Sequence, residues 1–394
     1  MLITAESLIP SRLEIRPTDR VMVLAPHPDD ESLATAGILQ RACALGAETR
    51  VLFVTDGENN PWPQRALEWR WRILAADRSR WGMRRRGEAL SALACLNVPL
   101  QSVRFLGYPD QGICDLLMTD PDPLLGDLVM EIASWQPSIL VDPVPADQHP
   151  DHGALAVFTD FALARPALKK ALESVALVRL RYLVHGSLRG MPDGLVRSLH
   201  LTVPEQDRKR HAILRHRSQL PLGGPSILRF ARPEERYLSY AHPKVLDGSH
   251  NVTMCRLNRR GLQLTIGKAR RVGIGPLVIK LAFVSDEGFT TRVDILVPPR
   301  SETAPARRAA TGEQVATGLF TKTRTETRLF LPLAPNAPAK MAYVKLDRPS
   351  ERRLGFFDSV GWRTVPVAPA QHQTDVEDTA PRTIAVVPHE IPVP

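Results

Sequence analysis

Two short segments concentrate the residue types that do chemistry. The first is Pro26-His27-Pro28-Asp29-Asp30-Glu31, one imidazole and three carboxylates directly after the apolar run 20–25, RVMVLA. That run reads as a buried strand, so the cluster falls on a strand-to-helix turn. His27 and Asp30, three apart, can converge on one ion as the chain enters the helix; Asp29 faces another way in the same pocket. Nitrogen with carboxylate oxygen suits Zn2+, and Fe2+ or Co2+ less selectively. The plainer alternative is a helix cap at Asp29 or Asp30 beside a core imidazole. The second segment, Asp147-Gln148-His149-Pro150-Asp151-His152, lies just past the apolar run 138–141. His152 stands 152 − 27 = 125 positions from His27, so only the fold can join them. Two strands of one parallel sheet, ending on the same side, would make His27, Asp30 and His152 a site with an open position for water. His149 and Asp151 are left over, and a histidine beside a carboxylate is the arrangement that fixes a tautomer and raises basicity. Glu31 reads as a supporting or helix-start carboxylate.

The surrounding sequence supplies such a sheet. Strands are predicted at 20–25, 49–55, 103–106, 138–141 and 175–184, with helices at 32–45, 85–96, 123–135 and 153–164. This alternation implies βαβ units and a mostly parallel sheet, whose ligands bind at the carboxyl ends of the strands. Segment 201–220 reads as extended and then helical, capped near Thr202 or Glu205. After residue 245 the texture changes to short strand-like runs punctuated by Gly, Pro and Asn, which predicts an all-β, sandwich-like unit. Within it, 301–318 is Ala/Thr-rich and reads as a surface loop. The Pro-rich 365–394 reads as a disordered tail. The expected division is an N-terminal extension at 1–19, an α/β domain at 20–244, a β-rich domain at 245–364, and the tail.

Composition excludes several classes. The chain has 394 residues, 43% hydrophobic and 24% charged, the balance of a soluble globular protein rather than a disordered one. No apolar run reaches the ~18 residues of a membrane-spanning helix, and the first residues lack a secretory pattern. Cys43, Cys95, Cys114 and Cys255 are far apart with no CxxC. That argues against a disulfide framework or a thiolate zinc site, and for free thiols in a reducing cytoplasm. The net charge of +9 favours anionic partners. No nucleic-acid motif accompanies it, so no nucleic-acid role is expected.

The linked pair PHPDDE and HPDH resembles the LmbE-like/PIG-L family of metal-dependent N-acetylglucosaminyl deacetylases, which includes the GlcNAc-inositol deacetylases of the mycothiol and bacillithiol pathways. The resemblance covers residues 20–220. Further agreement comes from Thr55-Asp56-Gly57-Glu58, from Arg85-Arg86-Gly87-Glu88, from Asp110-Gln111-Gly112 and from His216-Arg217-Ser218-Gln219. Pro26 stands where the family usually has Ala. The resemblance implies a Rossmann-like domain in which His27, Asp30 and His152 bind one Zn2+ per chain and Asp29 is the general base. It implies that a protonated His149, oriented by Asp151, stabilises the oxyanion. Arg85 and Asp110 would contact the substrate; His185, at the end of the last α/β strand, could line the same crevice. The expected substrate is an N-acyl amino sugar, compatible with an anionic or phosphate group, acted on in the cytoplasm. A homo-oligomer is compatible with the sequence. The rivals are an amidase for a non-sugar N-acyl compound and a non-catalytic glycan binder using the β domain.

Overall fold

A computed structural model describes residues 11–186, 196–239, 252–258, 261–267, 277–285, 290–332, 339–348 and 361–366. Eight strands form the first sheet: β1 (Ser11–Arg12), β2 (Arg20–Ala25), β3 (Glu48–Thr55), β4 (Val103–Tyr108), β5 (Ile139–Pro143), β6 (Val178–Tyr182), β7 (Val196–His200) and β8 (Glu234–Ser239). Their order is β1-β7-β8-β6-β5-β2-β3-β4. The pairs β2–β3, β3–β4, β2–β5 and β5–β6 are parallel, and β8 runs antiparallel to both β6 and β7. From β2 the chain winds outward to β3 and β4, then returns to β5 on the other side of β2. That reversal opens a crevice beyond the carboxyl ends of β2 and β5, where open α/β sheets bind ligands. Both motifs sit there.

Side-chain alternation sorts the strands onto two faces. Val21, Val23 and Ala25 of β2 join one core with Ile38, Leu39, Ala89, Leu93 and Ile213. Met22 and Leu24 join the other with Leu124, Leu128, Leu155 and Phe158. The helices expected at 32–45 and 85–96 differ in extent. The first is broken at Thr35 into Asp30–Ala34 and Ala36–Leu45. The Glu235 carboxylate, reaching across from β8, accepts the N–H groups of Gly37 (2.8 Å) and Ile38 (3.2 Å) and so starts a second helix. The other helix begins ten residues early, Ala75–Cys95, where the Asp77 carboxylate accepts the Leu74 N–H. Its arginine-rich first turns hid the apolar period. Thr202 and Glu205 form a capping box on Val203–Ile213.

The C-terminal unit is one curled antiparallel sheet rather than two stacked ones. Its strands are β9 (Val252–Asn258), β10 (Gly261–Gly267), β11 (Val278–Ser285), β12 (Thr290–Leu296), β13 (Thr303–Arg308), β14 (Gln314–Lys322), β15 (Glu326–Pro332), β16 (Ala339–Asp347) and β17 (Arg363–Pro366). They run β17-β16-β11-β12-β13-β14-β15-β10-β9, and Arg363 of one edge strand bonds the Val252 carbonyl of the other, so the sheet nearly closes. Alternating strands read alike in a sandwich and in a curled sheet, because only the closure differs. The expected loop at 301–318 is instead the β13–β14 hairpin, with Gly312 at φ 73° in its turn. Its strands are exposed on one side, so small and polar residues replaced the apolar alternation that marks a strand. The disordered tail expected from residue 365 starts within β17, whose Val365 and Pro366 pair with Ala342 and Met341; the rest of it, 367–394, lies outside the described residues.

The two units share a core. Ala282, Val284, Tyr343 and Trp362 of the β sheet pack in one cluster with Leu155, Phe158 and Phe161 of the helix Pro150–Ala164. The Tyr343 hydroxyl donates to Asp160 at 2.8 Å, and Asp160 also pairs with Arg179 and Arg181. Trp362 donates its backbone N–H to the Pro145 carbonyl at 2.7 Å. A Cβ on Gly361 would stand 2.4 Å from the Asp147 carbonyl oxygen, so only glycine permits this approach.

Trp362→Ala is expected to lower stability by about 3–5 kcal/mol and to leave a single cooperative unfolding transition in urea; two resolved transitions would show independent units. Burial opposes ionisation of Asp160, yet Arg179 and Arg181 outweigh it and hold its pKa below the usual value. Such a carboxylate stabilises the fold above its unfolded value of about 4 and loses that contribution as pH falls through the lower folded value. Asp160→Asn should therefore destabilise at neutral pH, with the variant and parent melting curves converging in acid.

Candidate functional site

Five strand ends supply the site: β2 brings His27, Asp29 and Asp30; β3 leads to Gly57; β4 to Asp110; β5 to Asp147–His152; β6 to His185. A cleft of about 650 Å³ opens over them. Seven of the nine residues singled out above line it: His27, Asp29, Asp30, Arg85, Asp110, His149 and His185. Asp151 and His152 are fully buried behind them.

The two motifs meet at one atom. Asp30 Oδ2 lies 3.3 Å from His27 Nδ1 and 3.2 Å from His152 Nε2. The His27 and His152 rings are 5.3 Å apart between centroids. Each imidazole meets further carboxylates through its other nitrogen. His27 Nε2 is 3.2 Å from both Asp110 Oδ1 and Asp151 Oδ2. His152 Nδ1 is 3.2 Å from Asp147 Oδ2. Asp147 is itself fixed by the backbone N–H groups of His149, Val184 and His185.

These residues fit a divalent cation. Donor atoms bound at about 2.1 Å to one tetrahedral ion stand roughly 3.4 Å apart, and the two histidine–Asp30 spacings are close to that. Both His152 ring nitrogens are buried without a well-directed hydrogen bond, although carboxylate oxygens stand nearby. An imidazole aimed at an ion shows that pattern. The nitrogens of His27, His149 and His152 also come within 4.8 Å of one another. Charge argues the same way. Burial opposes protonation of His27 and His152, yet the surrounding carboxylates override it, raising His27 well above its usual value and His152 to about 10. The pocket draws in positive charge, which a cation would supply.

Asp29 is distinct from this group. Its carboxylate accepts from Arg85 at 2.9 Å, and its backbone N–H donates to Glu31 Oε2 at 2.9 Å. Burial pushes its pKa up to about 6 against the pull of Arg85, with Asp30 adding to the rise. Glu31, fully buried, also receives the Ser32 hydroxyl and faces His216 Nε2 at 2.9 Å. The segment 216–219 thus braces the first motif from behind; Gln219 reaches the cleft.

Three expectations change. The Asp151 carboxylate was paired with His149, but it takes the Gln111 and Ile113 N–H groups and faces His27. Pro150 starts a helix whose first turn carries Asp151, and this aims its carboxylate toward the end of β4. His149 was expected to be protonated. Burial and the neighbouring His27 and His152 lower its pKa well below the usual value, and its Nδ1 accepts the Asp151 N–H at 3.3 Å, which leaves the proton on Nε2. Arg85 was expected to face substrate. It does line the cleft, but its guanidinium is taken up by the Gly57 and Pro28 carbonyls and Asp29. His185 stands beside His149 and His152, its pKa lowered to about 4 by burial and by His152. Asp147 is the residue the sequence reading left without a role. Its position in the second motif was the available signal, but the partner nitrogen on His152 is visible only in three dimensions.

Together these features define an α/β domain with a buried histidine–carboxylate centre at the switch point of its sheet. Residues 22–163 match the family PIG-L: GlcNAc-PI de-N-acetylase, so this stretch is a PIG-L (LmbE-like) domain. The 1D-myo-inositol 2-acetamido-2-deoxy-alpha-D-glucopyranoside deacetylase of Mycobacteroides abscessus is 33% identical over 150 residues, covering 34% of this chain and 52% of that protein. The protein of the same description from Gordonia bronchialis is 27% identical over 252 residues, 54% of this chain and 87% of that protein. The chain spans about half the length of the first curated relatives it matches. Among solved structures, N,N'-diacetylchitobiose deacetylase from Pyrococcus horikoshii aligns with TM-score 0.44 and 19% identity over 56% of this chain and 84% of that one.

Removing the carboxylate behind His152 should loosen the centre. Asp147→Asn is expected to weaken divalent-metal affinity by about 10–100-fold, measured by competition with a chromophoric chelator. Unchanged affinity would detach Asp147 from any role at the metal.

Proposed function

We propose that the chain is a zinc-dependent N-deacetylase that hydrolyses the N-acetyl or other N-acyl group of an amino sugar, on a Rossmann-like scaffold. The observation that carries this reading is the meeting of His27 and His152 on Asp30 Oδ2, with the Asp29 carboxylate in the same cleft but outside that group. His27, Asp30 and His152 would hold the ion, which when bound polarises a carbonyl and makes water more acidic.

Asp29 takes the proton of the attacking water as it adds to the amide carbon. Its raised pKa makes it a stronger base than an ordinary carboxylate, and Arg85 holds the oxygen in place. The neutral His149 donates from Nε2 to the oxygen of the tetrahedral intermediate, a donor typically worth ~3–4 kcal/mol. Asp29 then returns its proton to the departing amine, and acetate and a free amino sugar remain. Asn60, Gln148 and Gln219 at the cleft supply polar contacts for sugar hydroxyls, while the Asp110 carboxylate is held by His27 and the Asn59 N–H. With Arg85 engaged, an anionic substituent falls to Arg229 at the rim, which has no ion pair among the described residues.

The test is release of free amine from GlcNAc-inositol, GlcNAc-phospholipid, nucleotide-linked GlcNAc, chitobiose and a non-sugar N-acetyl amide, with and without a chelator. Amino-sugar substrates should turn over, a chelator should abolish the reaction, and zinc should restore it. Asp29→Asn should retain about one ion per chain while turnover falls by about 10²–10⁴. Chelator-insensitive release, or full activity in Asp29→Asn, would overturn the mechanism.

A further inference from the structure

Tryptophan is the largest side chain and is usually well buried. Trp81, Trp135 and Trp362 follow that rule. The other three of the chain's six tryptophans stand within ten residues of one another and face solvent: Trp62 is 53% exposed, Trp69 91% and Trp71 86%. Leu74 and Met83 extend the apolar surface. Trp69 ends the helix Pro61–Glu68 in the left-handed region, at φ 54° and ψ 37°. A bulky residue is unfavourable there, and the fold gains no ring burial in return.

Arginine interleaves with these rings, in the run Trp69-Arg70-Trp71-Arg72. Across residues 62–84 there are six arginines against Glu68 and Asp77, so 6 − 2 = +4. Arg70 and Arg80 reach Asp77, whereas the exposed Arg72 and Arg78 make no ion pair among the described residues. Indole rings favour the boundary between water and acyl chains, and guanidinium groups favour anionic headgroups. The patch adjoins the cleft, because Trp62 and Pro63 of the same helix line its mouth.

We infer that this surface docks the protein on an anionic lipid bilayer, with the cleft mouth turned toward the headgroups. The rings of Trp69 and Trp71 insert at the interface, and Arg72 and Arg78 meet the lipid charge. The inference goes beyond the proposed hydrolysis and does not depend on it.

The test is co-sedimentation of the full chain with vesicles of phosphatidylcholine and phosphatidylserine in equal amounts, against phosphatidylcholine alone. Binding should favour the mixed vesicles and weaken as salt rises. Trp69→Ser with Trp71→Ser should reduce partitioning about tenfold or more. Arg72→Ser and Arg78→Ser should each reduce it about fivefold, as ~1 kcal/mol per arginine requires. Circular dichroism should match the parent throughout, since these side chains project into solvent. Failure to bind either vesicle, or equal binding by the tryptophan variant, overturns the proposal. So does light scattering showing a dimer that the tryptophan variant dissociates, because a second copy would then cover the patch.

Discussion

One carboxylate oxygen, Oδ2 of Asp30, joins the two halves of the sheet. It accepts the His27 backbone N–H at 3.0 Å and stands beside one nitrogen each of His27 and His152. Asp110, Asp147 and Asp151 are buried around the same pair of rings. So much negative charge in a desolvated pocket requires cationic partners. The reversal of strand order at β2 and β5 puts that charge at the one place where loops from both halves of the sheet converge. Arg85 then separates Asp29 from the group by holding it against the Gly57 turn.

Much of this was legible in the residues. β2 was read to its ends because RVMVLA is an uninterrupted apolar run bounded by charge and proline. The two motifs were legible because imidazoles and carboxylates crowd into turns after such runs. Directions of side chains were not. Asp151 follows His149 so closely that pairing them was natural, yet the first helical turn points its carboxylate away. Arg85 was read as a substrate contact, and only its 4% exposure and its bonds to the Gly57 and Pro28 carbonyls and Asp29 reveal an internal clamp. Spacing gives proximity along the chain, and the helix start decides which neighbour across space receives the charge.

The β sheet was the least legible part. Its inward residues alternate clearly, as in Leu262, Leu264 and Ile266. Its outward residues do not name a partner: Ala282, Val284 and Tyr343 lie in short apolar runs that show burial on both faces but not that the helix Pro150–Ala164 is what covers them. The family likeness stops before this region, so the interface had no motif to mark it. The same helix presents His152 on one side and packs against the β sheet on another, linking stability to the centre.

The contact of Gly361 and Trp362 with Pro145–Asp147 also sets an order in time. During synthesis the second motif leaves the ribosome 362 − 152 = 210 residues ahead of the tryptophan that steadies it. At about 5–20 residues per second that interval is roughly 10–40 s. Through it the nascent α/β layer holds its histidines without their final support. The second motif therefore reaches its final packing only after Gly361 and Trp362 have been made.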